Sequence, residues 1–206
     1  MKVDLHSHTY PASQCSNMSV ENLIVRAKEI GIDAMCLTEH NKPWNRDDIL
    51  RLSENFDFRV LRGMEVTTKD GDILVFGLHE EMRDILTASE LRERVADVGG
   101  FTIAAHPFRG FLMVGYLNLS LTPERAAGRA VFRSVDAIEA YNCKVTQHET
   151  DLALDVGARL DLPCVAGSDA HTLADVGKYV TYFEREISTE EELIAELKAG
   201  RFRIDA

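Results

Sequence analysis

His6 and His8 stand two residues apart at the end of a short stretch, Met1-Lys2-Val3-Asp4-Leu5. Side chains two apart on an extended segment point to the same side, so both imidazoles can reach one point in space. Imidazole is the commonest protein ligand of transition metals, and a pair of rings suits zinc, manganese or iron. Two neighbouring surface histidines would give the same pattern, so the pair gains weight only from company. Thr38-Glu39-His40, Gly63-Met64-Glu65, His106-Pro107 and Gly167-Ser168-Asp169-Ala170-His171 each place ligand-type residues just after an apolar run. Of the seven histidines, only His79 and His148 stand apart from such positions.

The elements that must position these residues alternate along the chain. Ser19 caps a helix with Val20, Leu23, Ile24, Ala27 and Ile30 at helical spacing, stopped by Gly31. Ala34-Met35-Cys36-Leu37 is a continuous apolar run, as expected of a strand buried on both faces. A second helix spans 46–55, and strands follow at 58–61 and, after an Asp70-Gly71 turn, at 72–77. Thr87 or Ser89 starts a helix closed by Gly99-Gly100, and 101–105 is a strand. Thr122-Pro123 opens another helical stretch. A strand at 136–140, a helix at 146–160, strands at 162–166 and 179–183, and a last helix capped by Thr189 complete the order.

Strand–helix alternation predicts an α/β fold with a mostly parallel sheet. In α/β barrels the active site lies at the C-terminal ends of the strands. His6, His8, His40, Glu65, His106, Asp169 and His171 would therefore converge there. Phe108 to Leu121 is apolar and glycine-punctuated, and reads as a long loop forming one wall of a substrate pocket.

A chain of 206 residues with 45% hydrophobic and 28% charged residues is that of a globular protein, and is read as one domain over 1–206. No apolar run is long enough for a membrane span and no secretory signal is visible, so no membrane association is expected. The cysteines Cys15, Cys36, Cys143 and Cys164 are widely spaced and form no Cys-x-x-Cys pair, which fits a reducing, cytoplasmic setting. The net charge of −11 disfavours a sequence-independent grip on long nucleic acid. A short nucleotide held by metal ions is compatible with it. Oligomeric state is left open.

Taken together, Asp4-Leu5-His6-Ser7-His8-Thr9, Thr38-Glu39-His40-Asn41, Gly63-Met64-Glu65, His106-Pro107 and Gly167-Ser168-Asp169-Ala170-His171 resemble, in order, the motif series of the PHP (polymerase and histidinol phosphatase) superfamily. The resemblance implies a distorted (β/α)7 TIM-like barrel, two or three divalent metal ions (Mn, Zn or Fe) and hydrolysis of phosphate esters, in a stand-alone single-domain form. Carried over by position, it implies that His6, His8, Glu65 and Asp169 hold a first metal. Glu65 would bridge to a second, shared with His106, and His40 and His171 would hold a third. Two positions depart from the pattern. Asp72 stands about where many members have a further histidine of the second metal, and is either an oxygen ligand or the end of a turn. Gln14 and Cys15 stand where some members place His or Asp for the third metal. Gln14 is a poor ligand, so that site would be weaker or completed by water.

Two metals a few ångströms apart can activate water and neutralise phosphoryl charge, so the expected substrate is a nucleotide, a short oligonucleotide or a small metabolite phosphate. Glu65, Asp169 and His171 are the expected catalytic residues. Arg109, three after His106, is the first candidate to hold the phosphoryl group, with Lys42 and Lys144 next; each is otherwise a solvated surface charge. Glu39 and Asp4 are expected to accept the distal N–H of a ligand histidine. A non-catalytic metal-binding regulatory module is one alternative. An amidohydrolase-like C–N hydrolase is another, weakened because no lysine ends a central strand to bridge two metals.

Overall fold

The computed structural model describes residues 1–110 and 122–204. Strand β1 (Lys2–Asp4), helix α1 (Val20–Glu29), β2 (Ala34–Leu37), α2 (Arg46–Phe56) and β3 (Arg59–Arg62) come first. The hairpin β4 (Met64–Thr68) and β5 (Gly71–Phe76) follows, then α3 (Ala88–Asp97) and β6 (Phe101–Ala104). The remainder is α4 (Pro123–Ala127), a 3-10 turn, β7 (Ala137–Tyr141), α5 (Gln147–Leu160), β8 (Cys164–Ala166), β9 (Thr181–Phe183), α6 (Glu190–Ala199) and β10 (Phe202–Ile204). The helix starts follow cap chemistry. The Ser19 side chain accepts from the Asn22 N–H. Thr87 and Thr146 each form a full capping box, with Glu90 and Glu149.

The chain is a mixed α/β fold of two five-stranded sheets, ordered β10-β9-β1-β2-β3 and β4-β5-β6-β7-β8. The expected distorted (β/α)7 barrel is not seen as a closed one: among the described residues no continuous ladder joins the two sheets. The pairing also differs from the expected, mostly parallel one. β1-β2, β2-β3, β6-β7 and β7-β8 are parallel, whereas β1-β9, β9-β10, β4-β5 and β5-β6 are antiparallel. The reason is local. Thr68 pairs with Gly71 across a two-residue turn, so β4 returns at once as β5 with no helix between them. Glu65 accordingly lies inside a strand, not after one.

The strands alternate between two cores. Ala34 and Cys36 of β2 join Val3, Leu5, Leu74, Phe76, Ile103 and Val165 in a cluster between the sheets. Met35 and Leu37 face α1 and α2, with Leu23, Ile24 and Ile49. Ile73 and Val75 of β5 face α3 and α5, with Leu91, Val95 and Val156. Full burial of each Val, Leu, Ile, Phe or Met side chain here is worth about 1.5–3 kcal/mol. The sheets touch directly at two isolated bridges, Ser7 with Ala170 and His40 with Glu65. Both bridges involve or adjoin ligand-type residues. No helix among the described residues is long and apolar enough to cross a membrane.

Candidate metal centre

His6 and His8 leave β1 as an extended pair, and their Nε2 atoms meet at 3.0 Å. Asp169, after β8, places Oδ1 at 3.5 Å from His6 Nε2 and 3.3 Å from His8 Nε2. Glu65, on β4, places Oε2 at 3.5 and 3.3 Å from the same two nitrogens. All four side chains are buried. Donors about 2.1 Å from a common ion in a tetrahedral arrangement lie about 3.4 Å apart, so the observed spacings fit a cation better than a set of mutual hydrogen bonds.

Glu65 faces two ways. Its Oε2 is 3.1 Å from His40 Nδ1, and its Oε1 is 2.8 Å from His106 Nε2. Glu65, Asp72 and His106 each offer a ligand atom within 4.8 Å of the other two, as do His8, His40 and His171. The structure thus brings all eight expected metal-site residues into one cluster. His106 (φ 29°) and Asp169 (φ 50°) both occupy the left-handed region, a strained conformation for non-glycine residues that concentrates at functional sites.

The electrostatics are those of a site built for positive charge. Burial opposes ionisation of Glu65, but His6 and the hydrogen bonds from His106 and His40 hold its carboxyl well below the usual range. Asp169 is likewise low, with burial outweighed by His6, the His8 hydrogen bond and His106. Conversely, His6 is pushed well above its ordinary value, since Glu139, Asp169 and Glu65 overcome its burial. His8 is raised in the same sense, Asp169 and Glu65 outweighing burial. The buried carboxylates thus favour positive charge among these rings, which a divalent cation would supply without protons. His171 is lowered, burial outweighing its contacts with Asp169.

Sequence reasoning missed Glu139. It lies on β7, fully buried, and its Oε1 accepts from His6 Nδ1 at 2.9 Å. Its Oε2 accepts from the His106 N–H at 3.0 Å and from Asn142 at 2.9 Å. Glu139 therefore sets the tautomer of His6 and turns its Nε2 lone pair inward. Gly167 makes room for it: a Cβ there would lie 2.6 Å from Glu139 Oε1 and 2.7 Å from His6 Cβ. The signal was an acidic residue in the centre of an otherwise apolar strand, Ala137-Ile138-Glu139-Ala140.

Two expected supports act elsewhere. Asp4 accepts from the backbone N–H groups of His6 (3.2 Å) and Ser168 (2.9 Å), not from an imidazole. Burial, opposed by these bonds, pushes its carboxyl up to about 6. Glu39 accepts from the Thr9 N–H and hydroxyl, the Ser13 hydroxyl and the Trp44 indole, and so ties down the loop after His8. Arg109 Nη1 lies 3.0 Å from Asp169 Oδ2. Lys144 pairs with Asp175 at 3.1 Å, and Lys42 is exposed. Arg109, Arg129, Asp70, Asp72 and His106 line a cavity of about 220 Å³. Arg129 was not anticipated. His79 lies apart, in a network with Glu190 and Arg62, and His148 is exposed on α5. Of the expected pocket-wall loop, 111–121 lies outside the described residues; Phe108 packs in the core beside Phe132.

Residues 4–106 match the PHP domain family, and residues 147–202 match the family described as PHP-associated. An uncharacterised protein of Methanocaldococcus jannaschii is 30% identical over 155 residues, covering 69% of this chain and 82% of that protein. The chain belongs to the PHP family. Its fold resembles a solved Bifidobacterium adolescentis protein described as a metal-dependent phosphoesterase, with a TM-score of 0.66, 15% identity and 95% of each chain covered. It also resembles a lesion-specific endonuclease of Pyrococcus furiosus, with a TM-score of 0.65 and 19% identity, covering 98% of this PHP chain and 57% of the endonuclease.

Proposed function

We propose that this PHP protein is a metal-dependent hydrolase of phosphate esters, acting on a nucleotide, a short oligonucleotide or a small metabolite phosphate. The observation that carries the reading is the buried set of His6, His8, Glu65 and Asp169, with ligand atoms 3.0–3.5 Å apart in the pairs given above. These four would hold one of two or three divalent ions, of Mn, Zn or Fe. Glu65 and His106, with Asp72, would hold a second, and His40 and His171 a third. When bound, such ions supply Lewis acidity for activating water and for neutralising phosphoryl charge.

The chain's own residues do the rest. Glu65 presents one oxygen to the inner rings and the other to His106, and so would keep two cations at a set separation. Glu139 orients the His6 ring, and the Asp169 carbonyl orients His171. Arg109, held over the centre by Asp169, is placed to take a phosphoryl oxygen in a charge-assisted hydrogen bond. His171, whose protonated form burial disfavours, is available as a donor to a cation. The likeness to an endonuclease supports a nucleic-acid phosphodiester among the substrates, and the net charge of −11 favours a short one. The shared cluster of Val3 and Leu5 with Phe183, Leu193 and Leu197 supports treating 1–206 as one functional unit. The two sheets are read as halves of one distorted barrel.

The test is a panel of phosphate monoesters, phosphodiesters and amides, assayed with added Mn²⁺ and again with a chelator. Metal-dependent release of phosphate or phosphodiester cleavage is expected. Tight metal binding with no turnover of any ester would make the protein a binding module. Cleavage confined to amides would make it a C–N hydrolase.

A further inference from the structure

Asp72 and His106 stand where their strands leave regular pairing. The β5–β6 ladder pairs Ile73 with Ala104, and the Ala105 N–H adds a bond to the Asp72 carbonyl at 3.0 Å. His106 then turns into the left-handed region, a conformation that persists only where the surroundings hold it. Its N–H donates to Glu139 Oε2 at 3.0 Å, and its carbonyl accepts from the Arg109 N–H at 3.0 Å. Arg129, half-buried just after α4, extends this hold to both sides. Its Nη1 donates to the Pro107 carbonyl and its Nη2 to the Asp70 carbonyl at 3.4 Å. One guanidinium thus bridges the residue that follows His106 and the turn that precedes Asp72. Its central carbon lies 5.7 Å from the Phe108 ring centre and 5.9 Å from that of Phe132, within cation–π range. Both rings belong to the core.

We propose that Arg129 is a positioning residue: by bridging the Asp70 and Pro107 carbonyls it sets the separation of Asp72 and His106, and with it the cation affinity of the Glu65, Asp72 and His106 group. The proposal rests on the metal-centre reading above and goes beyond it, because Arg129 itself offers no donor to a cation. Those three side chains place ligand atoms within 4.8 Å of one another. Metal–ligand distances tolerate about 0.2 Å, so a small shift of either strand end alters binding there before it alters the fold. Lysine could not take the same part. A planar fork meets two carbonyls and two rings at once, whereas an ammonium is a point charge on a flexible stem. Arg129 shares its cavity with Arg109, so capture of a substrate anion is the competing role. The hydrogen bonds separate the two arginines. Both Nη atoms of Arg129 donate to backbone carbonyls, whereas Arg109 Nη1 reaches the centre itself at Asp169.

The experiment titrates the metal-stripped full chain with Mn²⁺ against a competing chelator, for wild type, Arg129→Lys and Arg129→Ala. Each variant should weaken a single manganese equivalent, by about 10-fold or more, and leave the tightest equivalent unchanged. Inorganic phosphate should bind the fully manganese-loaded variants as tightly as it binds wild type. Arg125→Lys, exposed on α4, is the control and should match wild type throughout. Unchanged manganese affinity in both Arg129 variants would overturn the proposal. Weakened phosphate binding with manganese affinity intact would overturn it in favour of an anion-binding residue. A loss spread equally over all equivalents, with a lowered melting temperature, would overturn it in favour of a general structural role. Each of these outcomes leaves the metal-centre reading standing. A wild type that binds no manganese would overturn both.

Discussion

The centre has an inner and an outer part, built differently. The inner donors His6, His8, Glu65 and Asp169 have side chains at most 2% exposed. Every inner ring has a second partner: Glu139 for His6, and Ser13 Oγ at 3.4 Å for His8. Outer donors are more open, His40 being 41% and His171 19% exposed in the side chain. The difference teaches what each part can do. Inner groups are locked before any cation arrives, so geometry there is preorganised. Outer groups keep freedom and solvent access, which suits exchange of a cation or admission of a substrate.

Glu65 aside, the largest expected break in this contrast is Asp169→Asn. It removes the charge that His6, His8 and Arg109 all face. Losing about 4 kcal/mol of transition-state stabilisation would lower metal-dependent phosphate release about a thousandfold. Activity within tenfold of wild type would make the inner set dispensable. Next comes Glu139→Gln, which touches no proposed cation directly. An amide cannot accept from His6 Nδ1 with a full charge, so metal affinity should fall about 10–100-fold, measured by competition with a chelator. His40→Ala should cost less, releasing one equivalent of metal while the inner ion stays bound; loss of all metal would erase the distinction between the two parts.

The smallest effect belongs to Asp175, outside the donor set. Burial opposes its ionisation, but hydrogen bonds from Lys144, Lys178 and Thr172 hold it at about 2, against an ordinary 3.8. The depressed value means its stabilisation is present above pH 3.8 and lost as pH falls toward 2. Asp175→Asn should lower the melting temperature by a few degrees at most at pH 7, leave it little changed near pH 2, and so flatten the acid limb across that window. An unaltered acid limb would show the clamp contributes nothing.

The sequence showed the donors more clearly than the frame. The convergence of His6, His8, His40, His106, Asp169 and His171 was legible because ligand-type residues at strand ends sit beside apolar runs. Helix starts were legible through the caps at Ser19, Thr87, Thr146 and Thr189. Pairing direction was not, because β5 reads as apolar on both faces whether its neighbour is parallel or antiparallel. β10 was missed, since three residues with alternating exposure after a helix leave little periodicity. Glu139 was passed over because burial of an acid is visible only once its partners are. Cavity size would have misled as well: a larger cavity, about 520 Å³, lies by Phe101 and Thr102 at the opposite end of β6. Convergence of titratable groups, not volume, marks the site.

The central claim is that Glu65 joins two parts of one catalytic metal centre, and Glu65→Gln tests it most directly. The amide keeps the size of the side chain but cannot bridge two cations. Manganese-dependent phosphate release should fall by several orders of magnitude, while the thermal melt, carried by the apolar strands, persists. His148→Ala, on the exposed face of α5, should match wild type in both. A Glu65→Gln protein that melts normally and still turns over at a near wild-type rate would contradict the account.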